Sequence, residues 1–430
     1  GRSLKKTIEY LSNMTLIRVY EHDSLKVNNT TFTSDHLQLL SKFLGDKDGD
    51  DFPYYSLINN GVKFKHYVGV ISVGNLQIEI LPKADRAIAE DEETWENNLL
   101  EMLKVVYKLK VTLPSKANLL QRRSHVLDVF LNHFLDEVEN IMHIGLVKAY
   151  RRIEGNNPSL KGRLVMSKHI VKNLIHKERF YVDYTTYDRN HIFNRLLYKA
   201  LRVIPDISVS NYTIHRAKRL IFEFPELDDL VVTETLFNRL SFDRKTEDYR
   251  DAMDIAKLIL LNYMPSMTYN RSNNVMALMF DMNKLWEEYV YITLKRQLRT
   301  IDSKYTVVAQ RRKEFWTSAK VGGKIVKPDI VVKYEDNCIA VLDTKWKCPK
   351  DGKPSDADLK QMFVYQDYWD TDKTALIYPG NEENVAGDFM KDGSEVAECD
   401  MYYLPIYVNP AARKTTLLDM SNLINFLSPR

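Results

Sequence analysis

The chain is 430 residues long, 44% apolar and 28% charged, with 61 basic against 58 acidic residues and a net charge of +3. This length favours two or three domains over one core, and the composition is that of a folded chain, not a disordered one. The near balance of charge excludes a globally basic nucleic-acid binder, so any DNA contact has to come from local clustering.

From about 14 to 81, MTLIRVYE, KFKHYVGVISV and NLQIEILP read as short strands separated by turns such as NNG and GN, predicting a β-rich module over residues 1–93. Its acidic loop GDKDGDDFP alternates Asp46, Asp48 and Asp50 as a calcium loop does. Asp51 stands where that loop requires Gly, and no suitably placed Glu follows, so a solvated turn is expected. Residues 94–265 read as mainly helical, because WENNLLEMLKVVYKL, HVLDVFLNHFLDEVENIMHIGLVKAY, NRLLYKALRVI and AMDIAKLILLNYM space their apolar residues at helical intervals. His125, His133 and His143 lie here without an HxxxH pair, which gives no metal site. Lys161 and Arg163 are expected in a solvated loop.

The tract MPSMTYNRSNN marks a boundary near 265. Beyond it the pattern predicts a helix (280–299), strands (304–310, 327–334 and 338–345), a helix (356–369), strands (374–378 and 401–408) and a helix (414–427). That order is a central sheet flanked by helices, a mixed α/β domain over 266–430. No GxxxxGK[ST] occurs, so the chain shows no phosphate-cradling loop. Cys338, Cys348 and Cys399 are too few for a disulfide framework or a Cys-based zinc site. No apolar run approaches membrane-spanning length, and the opening GRSLKKTIEY has no signal-peptide core. A cytoplasmic location is therefore expected, and Gly1 in place of Met points to a trimmed start.

Chemistry concentrates in KPDIVVKYEDNCIAVLDTKWK, residues 327–347. A three-residue turn Glu335-Asp336-Asn337 would pair Tyr334 with Cys338 and set Asp329 opposite Asp343. Asp343 and Lys345 then share one face of the strand while Thr344 points away. The run IAVL leading into Asp343 implies burial, where unpaired charge costs several kcal/mol; a divalent cation or an ion-pair network would offset it. Two carboxylates holding Mg²⁺ (or Mn²⁺) beside a lysine is a constellation suited to phosphodiester hydrolysis. In the preceding helix, Trp286, Tyr289, Val290 and Thr293 share a face with Glu287 at its border, which makes Glu287 the candidate third carboxylate. Gln361 and Tyr365, four apart in DLKQMFVYQDYW, share another helical face. Arg311, Arg312, Lys313, Lys347 and Lys350, interleaved with aromatics, are the candidate DNA contacts.

Pro328-Asp329 followed by Asp343-x-Lys345, with Glu287 before and Gln361-x-x-x-Tyr365 after, resembles the PD-(D/E)xK nuclease motif. The phrases GNLQIEILPKAD, NNLLEMLKVVYKL, LKGRLVMSKHI, NRLLYKAL, FDMNKLWEEYV and LDTKWK, in this order, are similar to the McrC family, the nuclease subunit of McrBC modification-dependent restriction systems. The resemblance implies a mixed α/β fold with a C-terminal PD-(D/E)xK-like restriction endonuclease domain. It implies a GTP-hydrolysing AAA+ hexamer, McrB, as partner, which recognises methylated cytosine in double-stranded DNA. The N-terminal half would insert into the partner's ring and stimulate its GTPase. Asp329 and Asp343 would bind Mg²⁺, Lys345 would be the catalytic lysine and Glu287 an accessory carboxylate. Two alternatives remain on the residues alone: a partner-independent nuclease of repair or mobile-element type, and a noncatalytic subunit that activates a partner NTPase.

Overall fold

A computed structural model describes residues 15–28, 30–45, 52–74, 76–82, 92–107, 126–208, 210–265, 275–318, 322–347, 349, 352–404 and 418–428. The acidic loop at 46–51 lies outside these residues. In chain order the strands are β1 (Thr15–Tyr20), β2 (Ser24–Lys26), β3 (Tyr55–Ile58), β4 (Gly61–Phe64), β5 (Tyr67–Val73), β6 (Leu76–Leu81), β7 (Ala149–Asn157), β8 (Arg163–Leu164), β9 (Phe180–Asp188), β10 (Tyr263–Pro265), β11 (Val275–Asp281), β12 (Tyr305–Ala309), β13 (Lys313–Ser318), β14 (Gly322–Val326), β15 (Ile330–Tyr334), β16 (Asn337–Thr344), β17 (Lys373–Pro379), β18 (Asp388–Lys391) and β19 (Ser394–Leu404). The α-helices are α1 (Ser34–Gly45), α2 (Glu92–Val106), α3 (Val126–Ile144), α4 (Met166–Lys172), α5 (Ile192–Ile207), α6 (Asn211–Glu223), α7 (Glu234–Asn238), α8 (Arg250–Asn262), α9 (Met282–Ile301), α10 (Asp356–Trp369) and α11 (Ser421–Phe426).

Contacts group the chain into two compact units, residues 1–126 with 264–430, and residues 127–263. Sequence pattern alone divides it as 1–93, 94–265 and 266–430. The grouping differs because β11, which follows the tract near 265, completes the N-terminal sheet, ordered β1-β6-β5-β11-β10. Val275, Ala277 and Met279 of β11 share one core with Phe43, Phe52, Tyr55 and Ile71. Gly69 explains how closely β5 and β11 approach: its φ is +138°, and a Cβ there would stand 2.1 Å from the Leu278 carbonyl oxygen.

The second sheet of this unit is ordered β12-β15-β16-β17-β19-β18. β15 and β16 are antiparallel, whereas β16 and β17 are parallel and need the crossover that α10 supplies. Ser355 caps α10 by accepting a hydrogen bond from the Asp358 N–H, and Asp281 caps α9 through the N–H groups of Asn283 and Lys284. Val331 and Val341 pack with Met362, Tyr365 and Trp369 of α10. The predicted apolar face of α9 is buried, with Trp286, Tyr289, Val290 and Thr293 all at most 4% exposed.

The hairpin differs from expectation in its turn. Glu335, in a left-handed conformation at φ 53°, closes a two-residue turn, so Tyr334 pairs with Asn337 and Lys333 with Cys338. A bulge at Ile339 then adds the missing residue, and Val332 pairs with Ala340 and Ile330 with Leu342. The two departures cancel. The strand reaches the site in the register that sets residue 329 opposite residue 343.

The second unit combines α3, α5, α6 and α8 with a small sheet ordered β7-β9-β8. β7 begins at the end of the run read as helical, HVLDVFLNHFLDEVENIMHIGLVKAY, and continues into IEGNNPSLKGRL, which was expected as a loop. Gly145, at φ +111°, terminates α3, and the following residues pair with β9 from Ala149↔Asp188 to Asn157↔Phe180. Among the described residues no helix is long and apolar enough to cross a membrane.

Candidate active site at the acid end of the hairpin

β16 delivers Asp343 at its C-terminal end, 2% exposed, on the face it shares with Val341 and therefore toward α10. Asp329 precedes β15, and its Oδ2 accepts hydrogen bonds from the Thr344 N–H and hydroxyl, each 2.7 Å. Lys345 follows on the Asp343 side: its Nζ lies 2.5 Å from Asp343 Oδ2 and 3.5 Å from Asp358 Oδ1, and donates to Gln361 Oε1 at 3.1 Å. Gln361 Nε2 in turn donates to Asp343 Oδ1 at 3.3 Å and to the Tyr365 hydroxyl at 2.6 Å. The Tyr365 hydroxyl donates to the Lys327 carbonyl at 3.1 Å. The two residues four apart on α10 thus brace the lysine and one carboxylate from one side. Glu287, near enough to Asp329 to feel its charge, accepts from Gln310 Nε2 at 2.8 Å, while the Gln310 N–H donates to the Asp329 carbonyl at 2.8 Å.

The electrostatics are strained in one direction. Burial, then the neighbouring Asp329, push the Asp343 carboxyl up to about 7, against the pull of Lys345. Burial and then Asp329 likewise raise Glu287. Burial works against charge on Lys345, but Asp343, Asp358 and Asp329 outweigh it and hold the ammonium above the ordinary lysine value. Buried Asp343 Oδ2 meets the Lys345 ammonium and no hydrogen-bond donor beyond it among the described residues.

Asp329, Asp343, Lys345, Glu287, Gln361 and Tyr365 are therefore brought together. The candidate DNA contacts divide. Arg311 and Arg312 are exposed. Lys313 is engaged, donating to the Tyr368 carbonyl and lying 5.0 Å over the Trp369 ring. Lys347 is ion-paired with Asp358 at 2.5 Å and still half exposed, and Lys350 lies outside the described residues.

Sequence reasoning missed Asp358, 6% exposed, which holds Lys345 and Lys347 and accepts from Ser355 Oγ at 2.6 Å. Ser355-x-x-Asp358 is a helix-capping pattern and was the available signal. It also missed Gln310 and Glu21, for which no local signal exists. Glu21 is buried and accepts from Trp346 Nε1 at 2.7 Å, and the Trp346 ring lies 5.7 Å from that of Trp286.

Among the described residues no group of three His, Cys, Asp or Glu side chains is placed to hold a metal ion. Asp329 and Asp343 offer two carboxylates, which suits a hard cation that keeps several waters. The mutual repulsion of Asp343, Asp329 and Glu287 is the feature such a cation would relieve.

Fold and site define a mixed α/β protein carrying a buried acid–lysine cluster at the end of a sheet hairpin. The chain belongs to the family of McrBC 5-methylcytosine restriction system components, whose model matches residues 62–379. It is similar in fold to a chain of the refined half-complex from the tetradecameric assembly of Thermococcus gammatolerans McrB AAA+ hexamers with bound McrC. That likeness has 23% identity and a TM-score of 0.62, covering 96% of this chain and 98% of that one. A chain of the cryo-EM structure of the Thermococcus gammatolerans McrBC complex matches at 24% identity and a TM-score of 0.42, over 66% of this chain and 88% of that one. No curated protein matches.

Proposed function

We propose that this chain is the Mg²⁺-dependent (or Mn²⁺-dependent) DNA endonuclease subunit of such a system, of PD-(D/E)xK type, working with a McrB-like AAA+ GTPase hexamer and stimulating its GTPase. The observation that carries the reading is the placement of Lys345 between Asp343 and Gln361, with Asp329 and Glu287 beside them. A bound divalent cation would supply Lewis acidity and an activated water. Asp329 and Asp343 would hold it, with Glu287 as accessory base or outer ligand. Lys345, kept charged by three acids, would set its ammonium against the phosphate and balance charge growing on the non-bridging oxygens. Gln361 and Tyr365 hold the lysine at that station.

The partner is supported by the family and by the assembly in which the similar fold occurs. The exposed apolar side chains at Met166, Ile170, Val171, Leu174 and Ile175 offer a surface for it. The test is plasmid cleavage with Mg²⁺ on methylated and unmethylated DNA, with and without the GTPase ring. Lys345→Ala should reduce cutting by about 10²–10³-fold, the magnitude typical of lost transition-state charge stabilisation, while folding and partner binding persist. Undiminished cutting would leave the acids a structural role only.

A further inference from the structure

We propose that the ribbon β13–β14 is a DNA-gripping arm that enters a groove of double-stranded DNA beside the scissile phosphate; this rests on the nuclease reading above. Glu314 to Thr317 and Gly322 to Ile325 are all exposed, so most of the ribbon is open to solvent, its root alone meeting α10. A two-stranded ribbon without a covering layer is marginal in water. This one nevertheless carries Phe315, Trp316 and Ile325 at 49%, 48% and 57% exposure.

Charge says what they meet. Between residues 311 and 327 the sequence has six basic residues against the single acid Glu314, in a chain whose net charge is only +3. Apolar side chains among cations are poorly suited to a protein partner's apolar patch, and well suited to a duplex, whose phosphates take the cations and whose grooves accept apolar wedges. A major groove about 12 Å wide admits a two-stranded ribbon.

The arm is rooted in the site itself. Its two ends leave from Gln310 and Asp329, which are joined by the Gln310 N–H to Asp329 carbonyl hydrogen bond of 2.8 Å. Its first strand is tied to α10 where Lys313 donates to the Tyr368 carbonyl and the Phe315 ring lies 5.7 Å from that of Tyr368. Its second strand runs into Lys327, whose carbonyl accepts from Tyr365. A duplex seated on the ribbon is therefore in register with Asp329 and with the helix that braces Lys345.

The test is fluorescence anisotropy of a labelled 30-base-pair duplex (a length of about three helical turns) with the full chain, alone and with the GTPase ring, in EDTA across a salt series. Trp316→Ala with Ile325→Ala should weaken binding about tenfold at unchanged salt dependence. Arg311→Ala with Arg312→Ala should flatten the slope of log K against log salt by about two. Met390→Ala, exposed on β18 at the opposite edge of the sheet, should bind as wild type. Wild-type binding by both ribbon variants overturns the arm, even where Lys345→Ala reduces cutting as expected, so the two readings fail separately. Lost self-association with unchanged duplex binding would assign the ribbon to a second copy of the chain and overturn it too.

Discussion

Asp343 is the residue at which stability and function pull apart. Its folded value lies above the ordinary 3.8, so the stability it contributes is present below that value and lost as pH rises through about 7. On the proposed function, a divalent cation held there would compete with that proton. Thermal melts in Mg²⁺ and in EDTA should show a stabilising increment that grows from about pH 6 to pH 8. Asp343→Asn should lose the pH dependence of that increment, and an increment equal in both proteins would remove the carboxylate from the metal site. Asp358 acts one step further out, touching both lysines. Asp358→Asn keeps a side-chain oxygen for Ser355 but removes the charge that stations Lys345. Cleavage kinetics should show a drop in kcat of about tenfold with KM for DNA little changed, and a change confined to KM would recast Asp358 as a DNA-affinity residue acting through Lys347.

Among the elements, the hairpin shows how far local pattern reaches. The acids at 329 and 343 are legible because residue type and strand alternation mark them. The turn length is not, because whether Glu335 enters the left-handed region and where a bulge forms are decided by packing on both sides of the sheet. α10 is read residue for residue, since Ser355 caps it and the left-handed Asp370 (φ 51°) ends it within its own sequence. β7 is missed because its pairing partner β9 is far along the chain. In the second unit, α3 and α6 are tied by Arg216, 11% exposed at its side chain, which donates to Glu139 at 3.0 and 2.6 Å and to Asp136 at 2.5 Å. Arg216→Ala should cost about 1–3 kcal/mol in urea unfolding at neutral pH. The hydrogen bonds from Arg216 hold Glu139 below its ordinary value. Its stabilisation is thus present above the ordinary carboxylate range and lost as pH falls through the lowered folded value, so the difference between variant and wild type should shrink toward about pH 3.

At the scale of the whole molecule, the proposed dependence on a motor calls for a site and a separate surface for the partner. Val171 and Ile175 are 79% and 86% exposed, far in sequence from Asp343. Val171→Asp with Ile175→Asp should abolish stimulation of the ring's GTPase and partner-dependent cutting, while the Mg²⁺ increment in thermal melts persists. GTP hydrolysis measured with Lys345→Ala as the converse control should remain at the wild-type level; loss in both variants would mean that one surface serves both roles.

The sequence by itself determined the residue types of the cluster, the helices that carry Glu287, Gln361 and Tyr365, and the mixed α/β class. Each of these depends on periodicity or spacing within a few turns of chain. Only the tertiary structure decided that β11 belongs to the N-terminal sheet, that Ile339 bulges, that β13 and β14 form a ribbon rooted at Asp329, and that Asp358 stations Lys345. Trp346 meets Glu21 across 325 residues of sequence. Contacts of that kind are chosen by burial and hydrogen-bond satisfaction in the assembled core, where the energy of a pairing depends on what surrounds both partners and not on the residues beside either.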